Sequence, residues 1–214
     1  MTALARQPRF ITLEGGEGAG KSTVIAALRD ALEEAGEDVV CTREPGGTPL
    51  AEEIRGLLLE PHHEAAAPQA ELLLMFAARA QHVRETILPA LRRGAWVICD
   101  RFTDSSYAYQ GGGRGLDVEF IAELERQVVG IVPAMTLLLD IDVHEGRVRT
   151  NTRDLWPDRI EREQEDFFAR ARGVFLARAA AEPGRFRVVD ASRVREAVAA
   201  DAVSHLLALR GSTR

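Results

Sequence analysis

The segment from Phe10 to Thr23 constrains this chain more than any other. Phe10-Ile11-Thr12-Leu13 is a short apolar run, and Glu14-Gly15-Gly16-Glu17-Gly18-Ala19-Gly20-Lys21-Ser22-Thr23 continues it with the pattern G-x-x-x-x-G-K-[ST]. A strand, a glycine-rich turn and a helix in that order make a phosphate-binding loop. Gly15, Gly18 and Gly20 let the backbone turn tightly enough to aim successive N–H groups at one anion. Lys21 adds a mobile positive charge, and the helix that opens near Gly20 directs the positive end of its dipole at the same point. The Ser22 hydroxyl is placed to ligate a Mg²⁺ carried in with the nucleotide. Gly15, Gly16, Glu17, Gly18, Ala19, Gly20, Lys21, Ser22 and Thr23 are therefore the expected site for the phosphates of ATP or GTP.

Four more apolar runs follow, at 38–41, 95–99, 135–139 and 186–189, with helical patterns near 20–35, 49–59, 69–92, 103–109, 117–129, 142–150, 161–181 and 192–208. Such alternation implies an α/β fold with a parallel sheet covered by helices on both faces. Gly36 fits a helix C-cap, and Pro89 with Gly94 is expected to close the long third helix. The 214 residues, 46% of them hydrophobic, suffice for one domain over 1–214. The net charge of −6 argues against nucleic acid as partner. No run of 18 apolar residues and no secretory signal at the start are found, so no membrane partner and a cytoplasmic location are expected. Cys41 and Cys99 lie in strand-like runs without C-x-x-C spacing and read as buried free thiols.

In open α/β sheets, ligands gather beyond the carboxyl ends of the strands. There the chain reads Thr42-Arg43-Glu44-Pro45-Gly46-Gly47-Thr48, then Asp100-Arg101-Phe102, then a helix start in which Ser106, Tyr109 and Gln110 share a face before the cluster Gly111-Gly112-Gly113. Asp100 occupies the strand-end position of a Mg²⁺-side acid, and Arg101 can fork onto a second phosphate. On the long helix Phe76 precedes Arg79 by three residues, a ring and a guanidinium suited to a planar base with a carbonyl. Each is more often a core ring, a snorkelling Arg or a solvated face when taken singly. His82 reads as structural or solvated, and 146–160, with Arg147, Arg149, Arg153 and Arg159 around Trp156-Pro157, as a mobile lid loop.

Taken together, Gly15 to Thr23, Arg43 to Thr48, Met75-Phe76-Ala77-Ala78-Arg79-Ala80-Gln81, Asp100-Arg101-Phe102 with Ser105 to Gly111, and Asp158-Arg159-Ile160-Glu161 resemble, in order and spacing, the bacterial thymidylate kinases. The resemblance spans nearly the whole chain. It implies a five-stranded parallel sheet wrapped by helices, of the P-loop nucleoside monophosphate kinase type, transferring the γ-phosphoryl group of ATP to dTMP with Mg²⁺, in a homodimer. By the same resemblance Lys21 and the loop amides hold the donor phosphates, Ser22 and Asp100 serve the metal, and Arg101 holds the acceptor phosphate. Phe76 stacks on thymine, and Arg79, Ser106 and Gln110 bond its edge. Tyr109 lies on the deoxyribose, and Glu17 accepts from its 3′-hydroxyl. One branch of the family has an arginine where this chain has Gly18, so the arginine that stabilises the transferred group is expected from the lid, Arg153 first and Arg149 second. That lid is one residue longer than the family pattern and lacks its glycine.

Two rival readings have distinct signatures. A kinase for another nucleoside monophosphate, such as dUMP, dCMP or a purine nucleotide, would differ around Arg79 and Gln110. A nucleotide-dependent switch would need neither the Phe76/Arg79 nor the Ser106/Gln110 pair.

Overall fold

A computed structural model of the chain describes residues 4–60, 66–151, 159–160 and 163–212. Its five strands, β1 (Ala5–Glu14), β2 (Val39–Arg43), β3 (Trp96–Asp100), β4 (Ile131–Asp140) and β5 (Phe186–Asp190), form one parallel sheet in the order β2-β3-β1-β4-β5. The connections are helical: α1 (Lys21–Glu34), α2 (Pro49–Leu59), α3 (Pro68–His82), α4 (Leu88–Arg92), α5 (Thr103–Ser106), α6 (Val118–Leu124), α7 (Val143–Asn151), α8 (Glu165–Ala181) and α9 (Arg195–Ser212). β1 and β4 begin earlier than their apolar runs, pairing Ala5 with Ile131 and Arg6 with Val132 before a register shift between Gln7 and Ile11. The extension is polar, and Arg6 anchors it by donating to the Ala134 carbonyl at 2.6 Å.

Alternation along the strands sorts side chains onto two faces. Ile11, Leu13, Trp96, Ile98, Leu137 and Leu139 pack with Leu28 and Leu32 of α1 and Leu206 of α9. Phe10, Val97 and Cys99 point the other way, onto Leu72 and Phe76 of α3 and Ile121 of α6. Cys41 departs from expectation. It is exposed on β2, an edge strand; Cys99, in the adjacent inner strand, is buried as expected.

The long helix ends near 92 as expected, with Pro89 inside it, whereas the helix expected at 103–109 runs on through the glycine cluster. Pro89 lies inside helical structure, since α3 passes through a π turn, Val83–Ile87, into α4. The wider turn, with Leu88 N–H bonding the Val83 carbonyl, accommodates a residue that lacks an amide hydrogen. Gly94, at φ 85°, ends the segment. Likewise α5 continues as a π segment, Tyr107–Gly113, that absorbs the glycine cluster. A side chain on Gly112 or Gly113 would run into Val174 or Phe167 of α8, so these glycines serve close helix packing rather than a turn. Gly36, at φ 77°, follows α1 as a cap should.

A buried polar chain links the sheet to the outer helices. Thr12 and Thr136 share a hydrogen bond of 2.9 Å, Arg185 donates to Thr136 at 2.8 Å and to Asp104 at 2.6 Å, and Arg178 of α8 also donates to Asp104 at 2.6 Å. Burial opposes ionisation of Asp104, yet these arginines hold its carboxyl below the ordinary range. Removing one partner from a buried ion pair leaves the other charge uncompensated. Asp104→Asn is therefore expected to lower unfolding free energy by about 3–5 kcal/mol in urea denaturation.

Candidate active site

The parallel register sets Leu13 beside Asp100 and Asp100 beside Arg43, so the loops leaving β1, β2 and β3 converge at one end of the sheet. The loop after β1 has positive φ at Gly15, Gly18 and Gly20 (133°, 73° and 86°). Its fit is tight at Gly18, where any Cβ would strike the backbone of Gly146 in α7; an arginine has no room there. Lys21 is buried and donates to the carbonyls of Gly16 at 3.1 Å and Gly15 at 3.4 Å. Burial, with Arg101 nearby, lowers its pKa.

Two cavities open on this loop. The first, of about 810 Å³, is walled by 17–24, Asp100, Arg149 and the segment 191–196. The second, of about 200 Å³, is lined by Met75 and Arg79 of α3, Arg101, Ser105, Ser106, Tyr109 and Gln110, together with Glu44, Pro45 and Arg55. Glu17, Lys21 and Asp100 belong to both walls. A group held in one cavity thus meets a group held in the other at these three side chains.

Arg101 sits at that junction. Among the described residues it alone has positive φ without being glycine, at 67°. Its guanidinium donates to the Gly15 carbonyl at 3.0 Å, to Ser105 at 3.3 Å and to Glu17 at 2.5 Å, and lies 5.1 Å from the Tyr109 ring centroid. Burial pushes the Tyr109 phenol up to about 12, which keeps it neutral. Asp100 Oδ1 is buried with no hydrogen-bond partner among the described residues, and it shares the first cavity with Ser22. An orphaned carboxylate oxygen beside a hydroxyl and a phosphate loop fits a Mg²⁺–nucleotide complex.

On α3, Arg79 is buried and donates to Glu44 at 2.6 Å, Ser106 at 3.0 Å and the Phe102 carbonyl at 3.1 Å. Arg79, Ser106, Tyr109 and Gln110 all line the second cavity, and Phe76 is not on its wall. That ring is 2% exposed, packed in the core with Arg79 stacked 4.8 Å over it, and the apolar α3 side chain on the cavity wall is Met75. Positions i and i+4 of a helix share a face as well as i and i+3 do, so spacing alone could not choose between them.

Other parts of the site carried weaker signals. Glu71 is fully buried and receives Gln110 at 2.8 Å, Arg114 at 3.1 Å and Arg159; burial would raise its pKa, but these donors lower it. It orients Gln110 and holds the Arg159 guanidinium. The segment 191–196 follows β5 and could have been found by the strand-end rule applied to the fifth run. Arg149 reaches this segment, donating to the Ala191 and Ser192 carbonyls at 2.8 and 3.1 Å. Arg153, the first choice for the transferred phosphate, lies outside the described residues, as do Asp158 and Glu161.

A phosphate loop at the end of a parallel sheet, with a second cavity sharing its lysine, defines a phosphoryl-transfer enzyme of the P-loop class. The family model for thymidylate kinase matches residues 13–202. Similar chains include the thymidylate kinases of Chromohalobacter salexigens, 58% identical over 92% of this chain and 94% of that one, and Alcanivorax borkumensis, 56% identical over 89% and 91%. The crystal structure of thymidylate kinase from Ehrlichia chaffeensis superposes with a TM-score of 0.76 at 33% identity, covering 95% of this chain and 99% of that one. The chain belongs to the thymidylate kinase family.

Glu14, just under the loop, is fully buried and accepts from the Phe102 N–H at 2.8 Å and the Ser105 hydroxyl at 2.6 Å. Burial, reinforced by Asp104, pushes its pKa from 4.5 up to about 7 against the pull of Arg101. Because the folded state holds this proton more tightly, the contribution to stability is present at low pH and is lost as pH rises through about 7. Thermal melts at pH 5 and 8 should show Glu14→Gln gaining on the parent protein at the higher pH. A difference independent of pH would mean that Glu14 titrates at its unfolded value.

Proposed function

We propose that the protein phosphorylates dTMP to dTDP with ATP and Mg²⁺, a step toward dTTP, with ATP in the larger cavity and dTMP in the smaller. The observation that supports this reading is the wall common to both cavities, Glu17, Lys21 and Asp100, across which a donor and an acceptor phosphate would meet. Lys21 and the loop amides hold the donor phosphates, and Arg101 holds the acceptor phosphate. Glu17 pairs with Arg101 and accepts from the sugar hydroxyl. Arg79, Ser106 and Gln110 meet the base edge, with Met75 against its face and Tyr109 beside the sugar.

Ser22 and Asp100 are the residues that would hold Mg²⁺, which when bound neutralises phosphate charge. The acceptor oxygen is already anionic near neutral pH, so positioning and charge neutralisation do the chemistry, with no general base and no covalent intermediate. Arg153 supplies the lid cation, while Arg149 braces the segment after β5. The exposed apolar side chains Leu57 of α2, Leu73 of α3 and Phe120 of α6, on helices of the acceptor side, support a homodimer. No described helix is long and apolar enough to cross a membrane, which accords with a cytoplasmic location.

Coupled ADP release with ATP, Mg²⁺ and each of dTMP, dUMP, dCMP, dGMP and AMP tests the reading. dTMP should be the best acceptor, with dUMP turned over less efficiently because a methyl group is worth only about 1–3 kcal/mol in an apolar pocket. ATP binding without acceptor-stimulated turnover would sink it. In the same assay Arg153→Ala should lower kcat by about 10³ or more. Met75→Ala is expected to raise KM for dTMP while sparing that for ATP. Phe76→Ala should chiefly cost stability, about 3–5 kcal/mol by denaturant titration.

A further inference from the structure

Among the described residues His82 is the one fully buried histidine, with no exposed surface, and the chemistry above leaves it unused. Its Nδ1 lies 3.0 Å from Glu44 Oε1, and its Nε2 lies 2.7 Å from the Thr42 hydroxyl. A carboxylate only accepts, so Nδ1 carries the proton and donates. The other oxygen of Glu44, Oε2, receives Arg79 Nε at 2.6 Å. Thr42, His82, Glu44 and Arg79 therefore form one continuous chain from the edge strand β2 to the acceptor cavity.

The rest of the neighbourhood holds that chain still. A Cβ on Gly47, at φ 84°, would come within 2.5 Å of the imidazole, and Thr86 donates to the Gly47 carbonyl at 2.9 Å. The loop after β2 is thus closed onto the helix that carries Arg79. Glu44, His82 and Cys99 offer ligand atoms within 4.8 Å of one another. Each of those atoms already has a hydrogen-bond partner, however, and the Arg79 cation lies against Glu44, so a bound metal would have to displace a paired cation.

We propose that His82 is a positioning residue for base selection: by gripping one oxygen of Glu44 it fixes the other against Arg79 and so sets the angle at which the guanidinium meets the base. The inference rests on the reading that Arg79 contacts the acceptor base. Three of the five N–H groups of Arg79 are committed to Glu44, Ser106 and the Phe102 carbonyl among the described residues. The others remain for a ligand in the cavity that Arg79 lines. Guanidinium is a donor only. Held at one angle it accepts a base carbonyl as partner and rejects an exocyclic amino group, which also donates; a guanidinium free to swing loses that discrimination.

The test compares steady-state kinetics with dTMP, dCMP and ATP for the parent protein, His82→Gln, His82→Asn, Glu44→Gln and Arg79→Lys, alongside thermal melts. An asparagine amide nitrogen takes the place of Nδ1 and keeps the donation to Glu44; a glutamine reaches instead to the Nε2 position. His82→Gln should raise KM for dTMP and narrow the preference for dTMP over dCMP, each about tenfold, the scale of losing one hydrogen bond to a charged group. KM for ATP should stay unchanged, and His82→Asn should recover most of the loss. Parent-like selectivity in His82→Gln, or equal losses toward dTMP and ATP, overturns the inference. Where His82→Gln is too unstable to assay, parent-like selectivity in Glu44→Gln overturns it. Parent-like dTMP kinetics in Arg79→Lys overturns the underlying reading instead.

Discussion

The site depends on one guanidinium held in an awkward place. Arg101 leaves β3 with a left-handed backbone, which costs a non-glycine residue about 1–2 kcal/mol, and its side chain then spans from the Gly15 carbonyl to Glu17. Glu14 secures the next turn through the Phe102 N–H and the Ser105 hydroxyl. The strain is sustained because β1 supplies partners on both sides of it: Glu14 from the end of the strand, Gly15 and Glu17 from the loop that follows. Without the β1–β3 pairing, which sets Leu13 beside Asp100, neither cavity would have its shared wall.

Beside and behind the smaller cavity lie buried acids, each surrounded by basic groups. Glu44 holds Arg79 and His82, Glu71 holds Arg114 and Arg159, and Asp104 holds Arg178 and Arg185. Burying ions is expensive unless the pairing is nearly complete, so such groups gain their value from placement rather than stability. Each acid fixes the direction of a donor that faces either the cavity or a neighbouring helix. The loop beside the larger cavity differs, depending on close approach, as where Gly18 meets Gly146.

Much of this was legible from residue order. The loop from Gly15 to Ser22 announces itself because phosphate binding needs glycines and a lysine at fixed spacing, and the five strands stand out because inner strands of a parallel sheet are apolar on both faces. Less legible were features whose signal is shared by two structural roles. Pro89 and the glycine cluster look like helix ends, yet a π turn absorbs the first and packing against α8 requires Gly112 and Gly113. Cys41 sits in an apolar run but on an edge strand. Glu71 and His82 look like ordinary helix residues until the loops that bury them are in place.

The amino-acid sequence by itself determined the class of chemistry and the order of the elements, because both follow from local spacing: a phosphate loop, a period of two in strands, a period of 3.6 in helices. Tertiary structure decided which of two neighbours on α3 reaches the cavity. Met75 does and Phe76 does not, since the core takes the larger apolar ring and leaves Met75 on the cavity wall. It also decided that Arg149 braces the segment after β5 and that His82 stands behind Arg79. Those roles arise from contacts between residues tens of positions apart, which no local pattern encodes.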